Sequence, residues 1–299
     1  MQSRVAAHDI GFGLVILAGA GFGLNPLFAK MAYAAGMGPA GALLWRFVGL
    51  MLLTLPFLPS AARDVRHFAS GMALGAAMAL GTLSYFRALD VLPVATAAMV
   101  YYTYPLFTVA IGWLVLRRRP KPRALYAAGL VLAAVALVVS PGGFAAEEWR
   151  ALLACFLAPL VFAGMLQAFQ SGFPRYTLME RSSTTALGHT LVLVPAAFVW
   201  GDGLVVPQSA AGWQAVLGIA TLASLLPQLC LMHGVTRAGA ERAAVGGSTE
   251  LMMSVTVGWV AFAEPMRPMV VAGVAVLLAA IYVARRPLTH TARPVRGKR

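Results

Sequence analysis

Long apolar runs, separated by short polar breaks, constrain this sequence more than any other feature. About 18 apolar residues are enough for one helix to cross the roughly 30 Å hydrocarbon layer of a membrane. The breaks between the runs are too short to hold a soluble domain. The chain is therefore predicted to be an all-α membrane protein with ten transmembrane helices. The predicted spans are 11–34, 38–58, 67–87, 94–116, 122–140, 150–171, 182–200, 211–234, 243–262 and 267–284.

The charged residues indicate how the chain lies in the membrane. Only 11% of the residues are charged, well below the roughly 25% of soluble domains. The net charge of +13 is not that of a nucleic-acid reader, because the basic residues lie between apolar runs instead of on one folded surface. With the N-terminus in the cytoplasm, most of the 23 Lys and Arg residues fall on cytoplasmic segments, including Arg117–Arg119. The positive-inside rule therefore predicts cytoplasmic N- and C-termini and no nucleic-acid partner.

The first run has an alternative interpretation as a secretory signal. Arg4 precedes the apolar residues, and the small residues around Tyr33 resemble a cleavage site. Lys30 and the Asn25-Pro26 pair would be unusual just before such a site. Removal of the run would also leave the first half one helix short of the second, so we interpret it as a retained span.

Cysteine is scarce in this chain. Cys155 and Cys230 are the only two cysteines, and both fall within apolar runs. Neither a disulfide framework nor a cysteine metal site is expected from this pattern. The sequence therefore predicts no metal and no cofactor.

A long segment of the chain resembles a later one. Residues 85–140 return in similar form at 231–284, where the Gly112-Trp113 pair aligns with Gly258-Trp259. A proline ten residues after the first glycine is then shared by both copies without a gap. Internal similarity of this length predicts two halves with the same fold.

The two halves are expected to have opposite orientations in the membrane. The boundary falls near Pro141, which gives a first five-helix repeat at 1–143 and a second at 144–299, the latter with a basic cytoplasmic tail. Five crossings place the start of the second repeat outside. Inverted repeats around a polar midplane are typical of secondary transporters. The predicted architecture is two inverted five-helix repeats around a central cavity.

Polar side chains deep in the runs mark the wall of that cavity. They occur in every run except the fifth and the tenth, which are apolar throughout and are expected to face lipid or a second copy of the chain. Monomer and homodimer both remain open. The predicted substrate-binding residues are Asn25, Arg46, Tyr85, Tyr101, Tyr102, Tyr104, Gln167, Gln228, Ser248 and Glu250.

Arg46 and the tyrosines each have two interpretations. A full charge about 10 Å inside a span is costly, so Arg46 faces either the transport pathway or a structural partner. Tyr101, Tyr102 and Tyr104 lie too deep for an interfacial belt. They form either an aromatic wall or ordinary core packing. The Asn25-Pro26 pair is equally consistent with a packing kink and with a substrate contact.

Glu250 is the only carboxylate deep in a span, and His189 lies in the seventh run. For an amino acid, Arg46 or the amides of Gln167 and Gln228 could bind the carboxylate, and Glu250 or the tyrosine rings the ammonium. Histidine changes protonation near physiological pH. His189 and Glu250 are therefore candidates for proton coupling, with facilitated diffusion as the alternative.

The chain resembles the drug/metabolite transporter superfamily with its EamA-type repeats. The resemblance covers nearly the whole chain and rests on NPLFAK at 25–30, Arg46 and the run from Tyr85 to Leu116. The tyrosine-rich fourth run is most similar to the bacterial aromatic amino-acid exporters of the YddG type. The resemblance implies ten helices, cytoplasmic termini, a central cavity and export across the inner membrane.

Two features depart from the family pattern. The glutamate that many members carry at the end of the fourth span is replaced by Arg117–Arg119 and is kept in the second half as Glu264. Pro105 in the fourth run has Leu251 as its counterpart in the ninth. The two halves are therefore not expected to contribute equally.

The expected function is that of a secondary transporter that exports aromatic and other neutral amino acids across the bacterial inner membrane by alternating access. Exporters of cationic drugs or of other small metabolites are the alternatives. A membrane-embedded enzyme is disfavoured because the sequence has no HExxH, no GxSxG and no paired intramembrane aspartates. A channel would need a ring of charges or a carbonyl filter motif.

Overall fold

The computed structural model describes residues 2–115, 117, 122–138, 145–171, 177–199, 206–238 and 249–285. These ranges are helical, with no strand among them. The prediction of an all-α protein is confirmed. The helices are α1 Gln2–Phe22, α2 Asn25–Ala34, α3 Pro39–Thr54, α4 Leu58–Ala61, α5 Val65–Val91, α6 Val94–Tyr101, α7 Tyr104–Leu114, α8 Pro122–Val138, α9 Ala146–Cys155, α10 Leu157–Ser171, α11 Leu178–Val199, α12 Ala210–Leu217, α13 Leu226–Ala238, α14 Thr249–Phe262 and α15 Pro268–Arg285.

Several of these helical stretches are long and apolar enough to cross a membrane, and the chain is a multi-pass membrane protein. Six qualify by length and composition, and a seventh if the pair Pro39–Leu52 and Leu55–Ala61, bent by 59°, counts as one span. Three shorter apolar helices follow the order of the remaining predicted runs: Leu125–Leu137, Thr249–Phe262 and Pro268–Ala280. The crossing number of ten stays a prediction. The six are Asp9–Ala34, Val65–Val91, Val94–Leu114, Ala146–Met165, Met179–Val199 and Ala210–Leu231.

Proline sets the breaks within the spans. Proline lacks a backbone N–H and fits the first turn of a helix, so it separates one helix from the next. Pro26 lies in the first turn of α2 and Pro105 in the first turn of α7. The first predicted span is therefore divided into α1 and α2, and the fourth into α6 and α7. A π-helix, Gly218–Leu225, joins α12 to α13 in the eighth span.

Glycines allow α5 and α11 to pack closely along their lengths. A Cβ atom at Gly75 would overlap the backbone of Thr185, and a Cβ atom at Gly188 would overlap the backbone of Met72. Small residues drive helix association in lipid because they let two backbones approach. This crossing joins the third predicted span to the seventh and fixes the frame around the site.

The two helices without deep polar residues, α8 and α15, pack against each other. Leu125 and Leu132 on α8, and Met269 and Val271 on α15, keep large exposed fractions. The pair lies beside α6 and α7. Their main partner within the chain is each other, but Val131 of α8 and Leu277 of α15 share a buried cluster with Tyr102, so these helices do not lie wholly outside the site as predicted.

Candidate functional site

Four tyrosines from three helices meet in one aromatic cluster. Tyr85 of α5 lies 5.6 Å from Tyr101 of α6, measured between ring centroids. Tyr101 lies 6.0 Å from Tyr102 and 6.2 Å from Tyr104 of α7. Phe162 of α10 lies 5.5 Å from Tyr101 and 5.0 Å from Tyr104. These separations are those of stacked and edge-to-face rings, and the five residues form what we call the tyrosine cluster.

The break between α6 and α7 makes this cluster possible. On one continuous helix, positions 101, 102 and 104 would point in three directions, because successive residues turn by about 100°. Instead α6 ends at Tyr101 and α7 begins at Tyr104. The change of direction brings neighbouring rings to the same side, with Tyr102 and Tyr104 6.1 Å apart.

Arg46 projects from α3 toward the tyrosine cluster. Its guanidinium carbon lies 5.5 Å from the ring of Phe47 and 5.9 Å from that of Phe86. The side chain interacts electrostatically with Tyr101, Glu250 and Tyr85. Its Nε atom is buried and has no hydrogen-bond partner. Arg46 is therefore a charge inside the protein with an unused donor.

Glu250 lies in the first turn of α14, in contact with the tyrosine cluster. Its carboxylate accepts a hydrogen bond from the Tyr102 hydroxyl and interacts electrostatically with Arg46. Within the ranges that the structure describes, no ion pair joins Arg46 to Glu250. Tyr101 interacts electrostatically with both charges, so the tyrosine cluster lies near a cation and an anion.

His189 of α11 lies beside Arg46. Its Nδ1 atom is 2.7 Å from the carbonyl oxygen of Thr185, and a carbonyl only accepts, so Nδ1 carries a proton. The Nε2 atom is buried without a hydrogen-bond partner. The imidazole ring lies 4.0 Å from the ring of Phe47 and interacts electrostatically with Arg46. His189, the predicted candidate for proton coupling, thus lies next to Arg46, a predicted partner of the substrate carboxylate.

Asn25 bridges two broken helices. Its Nδ2 atom donates to the carbonyl oxygens of Phe22, at 2.8 Å, and of Ala223 in the π-helix, at 3.1 Å. Both carbonyls belong to irregular stretches that need a donor. The Oδ1 atom is buried without a partner. Asn25 therefore holds the α1–α2 break against the π-helix and keeps one free acceptor.

The structure describes the three remaining predicted residues to different extents. Gln228 lies half-buried on α13. Gln167 belongs to α10, but its side chain lies outside the described part of the structure. Ser248 lies outside the described residues altogether. These three assignments stay predictions.

Two aromatic residues of the site, Phe162 and Phe47, were not predicted from the sequence. Phe162 packs against Tyr101 and Tyr104, and Phe47 lies between Arg46 and His189. An aromatic residue in an apolar run carries no sequence signal of its own, so only packing identifies them. Among the described residues, no group of three or more His, Cys, Asp or Glu side chains could hold a metal ion.

A multi-pass helical bundle with opposite charges beside an internal aromatic cluster defines a membrane protein with a polar site within its spans. Comparison with known proteins gives the family. The model of the EamA-like transporter family matches residues 9–140 and again 149–286. The chain belongs to this transporter family, and the resemblance seen in the sequence is confirmed at that level.

Individual relatives are more distant. The pseudopaline exporter CntI of Pseudomonas aeruginosa, from strains UCBPP-PA14 and PAO1, is 28% identical over 209 residues, which is 69% of this chain and 72% of the relative. A solved structure, titled only as a crystal structure of a protein, matches with a TM-score of 0.60 and 18% identity, covering 94% of this chain and 96% of that one. This structural match concerns the fold alone. The likeness to aromatic amino-acid exporters stays a prediction.

Proposed function

We propose that this protein is a secondary transporter that exports small zwitterionic metabolites, above all aromatic and other neutral amino acids, across the bacterial inner membrane. The observation that carries the proposal is the placement of Arg46 and Glu250. The two opposite charges lie near each other inside the protein, with the tyrosine cluster near both and no ion pair joining them.

Opposite charges that form no ion pair within the membrane are costly, because each offsets only part of the desolvation of the other. A zwitterion removes part of that cost. Its carboxylate accepts hydrogen bonds from Arg46, including the unused Nε donor. Its ammonium takes the place of the Tyr102 hydroxyl at Glu250 or lies over a tyrosine face. The aromatic rings then contact the side chain of the amino acid.

Two inverted five-helix repeats, 1–143 and 144–299, account for the transport cycle. The family model matches once in each of these segments, at 9–140 and 149–286, which supports two equivalent units. Ten apolar helical stretches along the chain support five crossings per unit. With cytoplasmic termini, each unit rocks against the other and exposes the site to one side at a time.

A second class of substrate, small metabolites other than free amino acids, is also supported. The relative in Pseudomonas aeruginosa is named as an exporter of pseudopaline, which supports export as the direction of transport. It also favours a small metabolite other than a free amino acid as cargo. A cationic drug is supported only by Glu250, the one carboxylate of the site. The protein works in a lipid bilayer, as a monomer or a homodimer, and needs no cofactor in this proposal.

The proposal is tested by uptake of labelled compounds into proteoliposomes. The panel contains aromatic and aliphatic amino acids, a cationic dye and a nucleobase. We expect saturable uptake of amino acids by the wild-type protein. Movement of the dye or the nucleobase alone would leave the family assignment intact and would overturn the amino-acid proposal.

Tyr101→Ala is expected to weaken aromatic amino-acid transport about three- to tenfold, mainly through KM. Tyr101 contacts Tyr85, Tyr102, Tyr104 and Phe162, and one aromatic contact contributes roughly 0.5–1.5 kcal/mol beyond its buried area. Aliphatic amino acids should lose less. Initial uptake rates against substrate concentration measure the effect.

The matched control for this variant is Tyr126→Ala. Tyr126 lies exposed on α8, outside the cluster, and should leave KM unchanged. Equal losses in the two variants, or an unchanged KM in Tyr101→Ala, would contradict an aromatic wall.

Proton coupling through Glu250 and His189 is the next part of the proposal. In an exchanger, the ammonium of the substrate and a proton compete for the Glu250 carboxylate, and His189 alters the charge beside Arg46. The double variant Glu250→Gln with His189→Gln should lose the stimulation of uptake by a pH gradient. Rates are measured with and without the gradient, and Glu147→Gln on the exposed face of α9 serves as control. A gradient dependence that survives in the double variant would exclude coupling through these groups.

A further inference from the structure

Glu264 joins three segments of the chain at one end of the bundle. It follows α14, and its Oε1 atom accepts a hydrogen bond from the backbone N–H of Val94 at 2.7 Å. Its Oε2 atom is 3.4 Å from the backbone nitrogen of Ala95. The Nζ atom of Lys30, on α2, lies 3.7 Å from Oε1. We call these contacts the Glu264 clasp.

The backbone around Glu264 holds this carboxylate in place. Ala263 has a left-handed backbone with a φ of 49°, and the N–H of Glu264 donates to the carbonyl oxygen of Gly258 at 3.0 Å. A Cβ atom at Gly258 would lie 2.6 Å from Oε2, so glycine leaves the room that the carboxylate needs. Phe262 supports Lys30, whose Nζ atom is 5.1 Å from the ring centroid.

The clasp connects the two repeats. Lys30 and Val94 belong to the first repeat, whereas Glu264 belongs to the second. The carboxylate lies at the N-terminus of α6, where backbone N–H groups without partners favour a negative charge. Since α6 ends at Tyr101 and is followed directly by Tyr102, the clasp also affects the position of the tyrosine cluster.

Helices of the two repeats also pair at the opposite end of the bundle. Near the clasp, α6 packs against α14. Farther along the same span, α7 packs against α8 and α10, and α1 packs against α13. Within the described ranges, no extensive helix pairing joins α7 or α10 to α1 or α13. Apart from α7 with α8, each of these pairs has one helix from either repeat, so the clasp is one of several contacts between the repeats, and it is the one made by a carboxylate and backbone N–H groups.

We propose that Glu264 is the closing residue of the outer gate and that the closed outer gate is the resting state. This proposal rests on the proposed function and its orientation with cytoplasmic termini. In that orientation α6 begins and α14 ends on the outer side of the membrane. Release of Val94 and Lys30 from Glu264 frees the start of α6. The outer ends of the two repeats then separate, and the tyrosine cluster opens to the outside.

The sequence supplies an asymmetry that favours this resting state. The repeat alignment that places Gly112 over Gly258 also places Arg118, outside the described residues, over Glu264. A guanidinium has no acceptor for backbone N–H groups, so it cannot form the same clasp. A clasp of this kind can therefore form at Glu264, on the outer side, but not at Arg118 in the other repeat.

Cys155 provides a native reporter for the outer gate. It is fully buried at the end of α9, among Leu92 of α5 and Val100 of α6. Movement of α6 away from α9 would expose the thiol. In a Cys230→Ala background Cys155 is the only cysteine. A membrane-impermeant maleimide added to the outside of intact cells then measures outward opening without any knowledge of the substrate.

The experiment compares labelling rates of Cys155 in Glu264→Ala and Glu147→Ala. Glu147 is an exposed carboxylate on α9, the same helix as the reporter. Glu264→Ala removes two backbone hydrogen bonds and the ion pair, and each charge-assisted bond is strong enough to shift an equilibrium about tenfold. We expect labelling at least about tenfold faster than in the wild-type protein, and no change in Glu147→Ala.

A milder variant keeps the test valid if Glu264→Ala does not fold. In Glu264→Gln the side-chain oxygen still accepts from Val94, but the attraction to Lys30 is lost, so labelling should increase about two- to fivefold. Both variants are checked for a single peak in size-exclusion chromatography. Folded Glu264 variants that label at the wild-type rate would overturn the gate. Because labelling needs no substrate, failure of the amino-acid panel and failure of the gate are separate results.

Discussion

Arg46→Gln is expected to reduce transport of carboxylate-bearing substrates about tenfold to a hundredfold in kcat/KM. Arg46 is the cation of the site, and its Nε donor has no partner in the protein. A hydrogen bond to a charged group contributes roughly 1.5–3 kcal/mol, which corresponds to this loss. Glutamine keeps a polar, though shorter, side chain and removes the charge. Initial uptake rates in proteoliposomes, normalised to folded protein, measure the effect.

Substrate analogues separate a binding role from a structural one. An amine that lacks the carboxylate gains nothing from Arg46, so its transport should be much less sensitive to the substitution. Arg150→Gln is the control, because Arg150 is exposed on α9. If Arg46→Gln lowers protein yield but leaves KM unchanged for every analogue, Arg46 is a structural charge and the zwitterion site is wrong.

Gly75→Val is expected to disrupt assembly of the bundle. Gly75 packs against the backbone of Thr185, and a side chain there meets a carbonyl group that cannot rotate away. Overpacking costs roughly 1–3 kcal/mol when side chains can adjust, and here two helix backbones must separate. We expect the Tm in detergent to fall by roughly 5–10 °C, together with a loss of monodisperse protein.

Gly129→Val is the matched control for this steric argument. Gly129 is exposed on α8, and a Cβ atom there would have nothing within 4 Å. Its Tm should stay near the wild-type value, since valine on this face meets only lipid. A Gly75→Val protein as stable as Gly129→Val would show that α5 and α11 do not need their close approach.

The two substitutions affect different properties of the same site: Gly75→Val affects the helix crossing that supports it, and Arg46→Gln affects its charge. The glycine crossing of α5 and α11 brings together Tyr85, on α5, and His189, on α11. Arg46 on α3 packs between them through Phe47 and Phe86. A lost crossing therefore removes both function and stability, whereas a lost Arg46 charge removes function first.

The local features of this protein were determined by the sequence alone. The apolar runs predicted an all-helical membrane protein, because a helix in lipid must satisfy its own backbone hydrogen bonds. The Asn25-Pro26 pair suggested a kink in the first span, where the helix does break, whereas the break at Pro105 was not predicted. The depth of Arg46, His189 and Glu250 in their runs was also readable from sequence position, and Arg46 proved to interact with each of the other two.

The tertiary structure decided which of these residues meet. Hydropathy does not distinguish one apolar face from another, so nothing in the sequence placed Phe162 against Tyr101 or Phe47 beneath His189. The link from Glu264 to Val94 spans 170 positions and depends on a backbone N–H, which every residue except proline offers equally. In lipid, helix pairing follows from how closely small residues let the backbones approach, and that is a property of two surfaces together.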